Sequence, residues 1–303
     1  MRVAFLGTSD FAATLLRELA GTEHRPVLAI TPPDRRRGRG RKLAPVPVAA
    51  AAEELRIELL RTEATEGPES LAAIGAAEPE IGVVCAFGQL LREPLLDRLE
   101  LLNVHPSLLP RWRGAAPIER SILAGDERTG VTIMRVTEGL DSGPIALAEA
   151  LEIGDDDFGR LSHRLERLGG RLLVEALDRR ARGERELVTQ DDAAATYAEK
   201  ISPEERRLDP ERPAIELERR VRALTPHVGA YLELEGGERL GVLEARAGEG
   251  ELGAGELDTA GGLRLGCAEG VLELVRVRPA GGRAMDAGAY LRGHQPPRPA
   301  AGP

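Results

Sequence analysis

Apolar positions in the first half of the chain follow two alternating rhythms. Compact apolar and β-branched runs at Arg2–Leu6, Pro26–Ile30, Glu80–Cys85 and Leu101–His105 predict strands. Between them the spacing lengthens to helical periods. After Gly7, Ser9 and Asp10 offer N-caps to the pattern Phe11, Leu15, Leu16, Leu19, and Pro47–Leu55 predicts a helix with proline in its first turn. Helical stretches near Glu69–Ala77, Glu93–Leu99 and Ile118–Leu123 continue the alternation. Thr129–Val136 and Pro144–Ala150 predict two more strands. A long helix over Phe158–Arg180 then carries Leu161, Leu165, Leu168, Leu172, Leu173, Ala176 and Leu177 on one face.

Strands alternating with helices predict βαβ units and a mostly parallel α/β sheet, whose ligands bind at the carboxyl ends of its strands. From about Gly183 to Arg206 the periodicity fails. Beyond one helix, Ile215–Leu224, the pattern changes to short strands at Ala230–Leu234, Leu240–Ala245, Leu263–Cys267 and Val271–Val277, punctuated by glycine. The expected organisation is an α/β domain over residues 1–186, a linker over 187–205 and a small β-barrel module over 206–303. No internal repeat is evident.

Composition narrows the function. The 303 residues carry 50 acidic and 41 basic side chains, a net charge of −9, which disfavours a generally basic nucleic-acid binder unless positive charge is concentrated. It is concentrated. Residues 31–43 hold Arg35, Arg36, Arg37, Arg39, Arg41 and Lys42 against Asp34, and Pro32, Pro33, Gly38 and Gly40 speak against a regular helix there, predicting a mobile arginine-rich arm. No apolar run reaches the roughly 18 residues of a membrane span. The first residues enter a strand without signal-peptide architecture, and Cys85 and Cys267 supply neither a disulfide framework nor a zinc site, so the expected compartment is the cytoplasm.

Two places carry candidate chemistry. Gly7 sits where nucleotide-binding folds cradle phosphate, but GTSDF lacks the G-x-G-x-x-G spacing, so a tight turn is the better account of it. Asn103 and His105 close the fourth apolar run, and strand alternation points both to one side. Asn103 is the chain's single asparagine. Asp141, between glycines in GLDSG, would orient His105 if it came within reach; an ordinary turn-capping aspartate is the alternative.

The run NVHPSLLPRWRGAAPIERSILAGDERTGVTIMRVTEGLDSGPI, residues 103–145, resembles the core of the folate-dependent formyltransferases. Within that family the whole chain is similar to the branch that formylates methionine on initiator tRNA, through GTSDFA, PPDRRRGRGRKLAPVPV, TYAEKIS and PAGGRAMDAGAYLRG. The resemblance implies a Rossmann-like catalytic domain, an OB-like C-terminal barrel contacting tRNA, and 10-formyltetrahydrofolate as formyl donor. It implies no metal and no membrane, and a monomer is expected. Asn103 would donate to the oxyanion, His105 would donate and carry a proton, and Asp141 would hold His105 and help take the amine proton. The implied folate pocket is Phe87, Gly88, Gln89, Leu90 and Leu91 with Ser107, Leu108, Leu109 and Pro110, although leucines there also suit a core. The arm at residues 31–43 falls where the family engages the tRNA acceptor arm. Arg111 and Arg113, flanking the only tryptophan, Trp112, are expected at the acceptor end.

Two segments depart from the family's usual pattern. His227-Val228-Gly229-Ala230 stands where relatives often carry tryptophan, and Leu208-Asp209-Pro210 replaces an Ile-Asp-Trp type segment. A formyltransferase acting on a small amine such as a sugar nucleotide or glycinamide ribonucleotide, a formyl-folate hydrolase, and a non-catalytic RNA-binding protein are the competing readings. The first two have little use for the arginine-rich arm, and the last none for Asn103, His105 and Asp141.

Overall fold

Gly7 shows how tightly the first turn is built. A Cβ there would lie 2.9 Å from the Ala12 Cβ and 3.0 Å from the Cys85 carbonyl oxygen, so the residue serves close packing of a helix against two strands. The computed structural model describes residues 1–37 and 42–294. Contacts divide the chain into two units: Met1–Pro117, Arg128–Glu152 and Ser162–Ala198 form the first; Ile118–Glu127, Ile153–Leu161 and the chain from Glu199 onward form the second. Two short segments from inside residues 1–186 thus belong with the C-terminal part.

The strands of the first unit are β1 (Val3–Gly7), β2 (Pro26–Thr31), β3 (Arg35–Arg37), β4 (Lys42–Ala44), β5 (Glu58–Arg61), β6 (Ile81–Cys85), β7 (Leu101–His105), β8 (Arg113–Gly114), β9 (Arg128–Arg135), β10 (Ile145–Glu152) and β11 (Tyr197–Ala198). Seven make one sheet in the order β10-β9-β7-β6-β1-β2-β5. β1, β2, β5, β6 and β7 run parallel, and β9 and β10 add an antiparallel edge. The order reverses direction at β1, where such sheets open a crevice at their carboxyl ends. β5 was not expected from the sequence; it is a half-exposed edge strand without a strong apolar run.

The helices are α1 (Asp10–Ala20), α2 (Pro47–Leu55), α3 (Pro68–Ala76), α4 (Leu95–Arg98), α5 (Pro117–Ala124) and α6 (Phe158–Ala181). Ser9 caps α1 by accepting the Ala12 N–H, as its position suggested. α4 shrinks to a single turn. On one face of the sheet α6 lies so close to β7 that a Cβ on Gly169 would come within 3.2 Å of Val104 Cγ1. On the other face Ala4, Leu6, Val84 and Leu101 form a core with Phe87, Leu91 and Leu95. Segment 187–205 is not a plain extended linker: β11 within it pairs in parallel with β8.

In the second unit α7 (Ala214–Leu224) packs on an antiparallel sheet of β12 (Ala230–Glu233), β13 (Arg239–Gly248), β14 (Leu257–Asp258), β15 (Arg264–Gly266), β16 (Val271–Arg278) and β17 (Met285–Asp286), followed by α8 (Ala287–Gly293). The order is β12-β13-β16-β15-β14, with β17 also on β16. Leu217, Val221 and Leu224 of the helix share a core with Leu240, Val242, Leu272 and Leu274.

Candidate active site

β7 sends Leu102 and Val104 to the helix α6 side and Asn103 and His105 to the opposite face. The loop between β9 and β10 closes over that second face. Its closure is tight: a Cβ on Gly143 would stand 1.8 Å from the Arg135 carbonyl oxygen, and the Arg135 N–H donates to the Pro144 carbonyl at 2.9 Å. Within this loop Asp141 adopts a left-handed backbone, φ 46°. Its carboxylate accepts the Asn103 Nδ2–H at 3.1 Å on Oδ1 and the Gly114 N–H at 2.8 Å on Oδ2. Oδ2 lies 3.6 Å from His105 Nδ1. The three side chains picked from the sequence therefore meet.

The division of labour among them differs from the expected one. The imidazole is held by the backbone: His105 Nε2 donates to the Trp112 carbonyl oxygen at 2.8 Å. A carbonyl has no proton to give, so the hydrogen sits on Nε2, and Nδ1 is the ring atom left to accept or carry a proton. At 3.6 Å Asp141 is too far for a hydrogen bond and close enough to stabilise a charge on the ring. The ring is nearly buried, at 4% exposure, which strengthens that attraction.

The loop presenting the Trp112 carbonyl is pinned by Thr132 and Thr196, for which the sequence suggested no role at the site, and by Ser107, which the resemblance placed in the folate pocket. Buried Thr132 donates to the Ser107 carbonyl at 2.7 Å and accepts the Leu109 N–H at 3.2 Å, and Ser107 Oγ donates to the Arg111 carbonyl at 2.6 Å. Trp112, itself at φ 64°, donates its N–H to Thr196 Oγ1 at 2.9 Å. Gly114 needs to be glycine: its φ is 122° and a Cβ would meet the Ala198 carbonyl oxygen at 2.9 Å.

A formyl transferase family model matches residues 1–177, and the model of the formyl transferase C-terminal domain matches residues 200–295. The chain belongs to the formyl transferase family. A methionyl-tRNA formyltransferase of Halorhodospira halophila is 46% identical over 301 residues, covering 97% of this chain and 96% of that protein. One of Dinoroseobacter shibae is 44% identical over 298 residues, 97% of each chain. Among solved structures, HypX from Aquifex aeolicus in complex with tetrahydrofolic acid superposes with a TM-score of 0.67 at 18% identity, over 96% of this chain and 47% of that one. The chain thus spans about half of HypX, and the likeness is one of fold.

In this formyl transferase the loop after β6 joins the first turn through a hydrogen bond from Thr8 Oγ1 to the Ala86 carbonyl. Phe87 and Leu91 face the core, Leu90 is exposed, and Gly88 takes φ 76°. Gln89 donates its Nε2–H to the Thr62 carbonyl at 2.9 Å, which fixes the amide's orientation and leaves Oε1 buried with no partner among the described residues. Ser107 and Leu109 are buried, with Leu108 and Pro110 partly so. Burial pushes the Cys85 thiol well above its ordinary value, so it is no nucleophile at neutral pH.

The arginines divide. Arg111 stacks over the Trp112 ring at 4.4 Å. Arg113 departs from the sequence expectation: it is 4% exposed, and its guanidinium turns inward to donate to Gln190 Oε1 at 2.8 and 3.1 Å and to Asp192 Oδ1 at 2.7 Å. The basic arm is corrected in part. β3 and β4 form an antiparallel ladder, Arg35 opposite Ala44, Arg36 opposite Leu43 and Arg37 opposite Lys42. Only the backbone of Arg35, Arg36, Arg37 and Lys42 is described, and Arg39 and Arg41 lie outside the described residues.

Among the described residues one group, Glu23, His24 and Asp178, has metal-ligand spacing. Both nitrogens of His24 are already engaged, Nε2 with Asp178 at 2.8 Å and Nδ1 with the Met1 ammonium at 3.0 Å, so an internal relay accounts for the cluster.

Proposed function

We propose that the chain transfers a formyl group from 10-formyltetrahydrofolate to the α-amine of methionyl initiator tRNA. The observation that carries this reading is the convergence of Asn103, His105 and Asp141 on one face of β7, in a chain that matches methionyl-tRNA formyltransferases over 97% of its length. The orphan Gln89 Oε1 supports a folate: a buried acceptor in an apolar loop suits the amino and ring N–H donors of a pterin. The folate supplies an activated formyl carbon and a nitrogen leaving group.

The methionyl amine has a reference pKa of about 7.7 to 8.0, so a useful fraction is free base at neutral pH. Asn103 has two amide hydrogens, and Asp141 takes one. The other is available to the formyl oxygen as negative charge develops on it. His105 Nδ1 accepts the proton shed by the attacking nitrogen and returns it to the departing one, while the Asp141 carboxylate stabilises the imidazolium between those events. The carbonyl of Trp112 keeps the ring from turning Nδ1 away. No covalent enzyme intermediate is needed.

The deciding assay offers labelled formyl-folate with charged initiator tRNA, uncharged tRNA, small amines and water. Label on methionyl-tRNA alone is the expected result. Label on a sugar-nucleotide amine, or release of formate at a comparable rate, would replace this reading with one of its competitors.

A further inference from the structure

Between the two matched family regions, residues 1–177 and 200–295, lies a segment that looks like a connector in the sequence. Gln190 within it is 7% exposed and makes hydrogen bonds in two directions. Its Oε1 accepts both Arg113 Nε–H and Nη2–H, at 3.1 and 2.8 Å. That fixes which end of the amide is oxygen. Its Nε2 then donates to the carbonyl oxygens of Asp141, at 2.9 Å, and Gly143, at 2.7 Å. Arg113 is braced in turn by Asp192 Oδ1, and its neighbour Gly114 donates its backbone N–H to the Asp141 carboxylate.

One acceptor of Gln190 is the carbonyl of the residue whose backbone needs holding, and the other lies two residues further along the same loop. Asp141 is a non-glycine residue at φ 46°, a conformation that persists only where its surroundings impose it. The carboxamide clips the Asp141 carbonyl to the Gly143 carbonyl across Ser142, and the guanidinium of Arg113 keeps the carboxamide aimed. We propose that Gln190, braced by Arg113, is a positioning residue: it fixes the Asp141 turn and so sets the carboxylate between Asn103 and His105. The inference rests on the reading that Asp141 serves the reaction.

Gln190→Glu in the full chain separates positioning from folding. The new carboxylate keeps the pairing with Arg113 and loses both donors to the loop. The expected result is a folded protein with an unfolding midpoint somewhat below that of the parent, a KM for each substrate within about threefold, and a kcat lower by about 10- to 100-fold, the scale of a catalytic group displaced by about 1 Å. Gln190→Met, similar in length and bonding to neither side, should show the same kcat loss, and it decides the matter if the first variant does not fold. In an Asp141→Ala background either change should lower kcat by less than twofold further, because both act through one group. Parent-like kcat in a folded Gln190 variant, or losses that multiply in the double variant, would overturn the proposal. Parent-like turnover by Asp141→Ala alone would instead sink the assignment of Asp141.

Discussion

Asn103 has one of its amide hydrogens spent on Asp141, so truncating it removes a fixed partner of the carboxylate together with the donor proposed for the oxyanion. Asn103→Ala should lower kcat by about 10²- to 10³-fold while the dissociation constant for the folate changes by less than about threefold, measurable by single-turnover transfer and equilibrium binding. Asn103, His105 and Asp141 could be picked out as candidates because Asn-x-His at a strand end and an aspartate between glycines are visible without the fold, while the roles proposed for them came from the family resemblance. Thr132, Thr196 and Gln190 could not. Their work is to hold other segments' backbone, and an uncharged polar residue in a strand or connector looks the same whether its partner is water or a catalytic loop. Arg113 was misplaced for a related reason, since nothing in an RWRG sequence says which guanidinium turns inward. At the departure from the usual family pattern, the His227 ring stacks on Phe158 at a centroid distance of 3.7 Å and its Nε2 lies 2.9 Å from Glu119, so an aromatic contact is still made there.

Elements with strong periodicity, β1, β7, β9, α1 and α6, fall within a few residues of where the apolar pattern places them. The arm does not. Two prolines and two glycines in residues 31–43 argued against order, yet β3 and β4 pair because a ladder needs only facing backbone groups, whatever their side chains. In the second unit, Arg120 donates to Glu205, which also accepts the Ser202 N–H at 2.8 Å. The Arg120 hydrogen bonds hold the Glu205 carboxyl below its ordinary value. A depressed carboxyl stabilises the fold above its unfolded value, about 4.3, and that contribution fades as pH falls through the folded value. Glu205→Gln should therefore cost about 1 to 2 kcal/mol in urea unfolding at pH 7 and progressively less below pH 4.

For the whole molecule, net charge is a poor guide to partners. The chain is at −9, while residues 31–43 alone stand at +5, a density that attracts phosphates regardless of the remainder. Replacing Arg37, Arg39, Arg41 and Lys42 by glutamine should weaken binding of initiator tRNA and make the slope of log K against log salt shallower by about 3 to 4. Turnover of a small formyl donor should stay at the parent level. Unchanged affinity in filter binding at several salt concentrations would remove the arm from the interface.

The first unit ends at Ala198, so nearly all of the segment between the matched family regions belongs to it. For anyone building chimaeras, this moves the junction. A catalytic half cut at residue 186 keeps Asn103, His105 and Asp141 but discards Gln190, Thr196 and the β11 strand, the groups that clamp the loops around them. Exchange of C-terminal modules between relatives belongs after Ala198, and insertions tolerated by an ordinary tether should be poorly tolerated between Gln190 and Ala198.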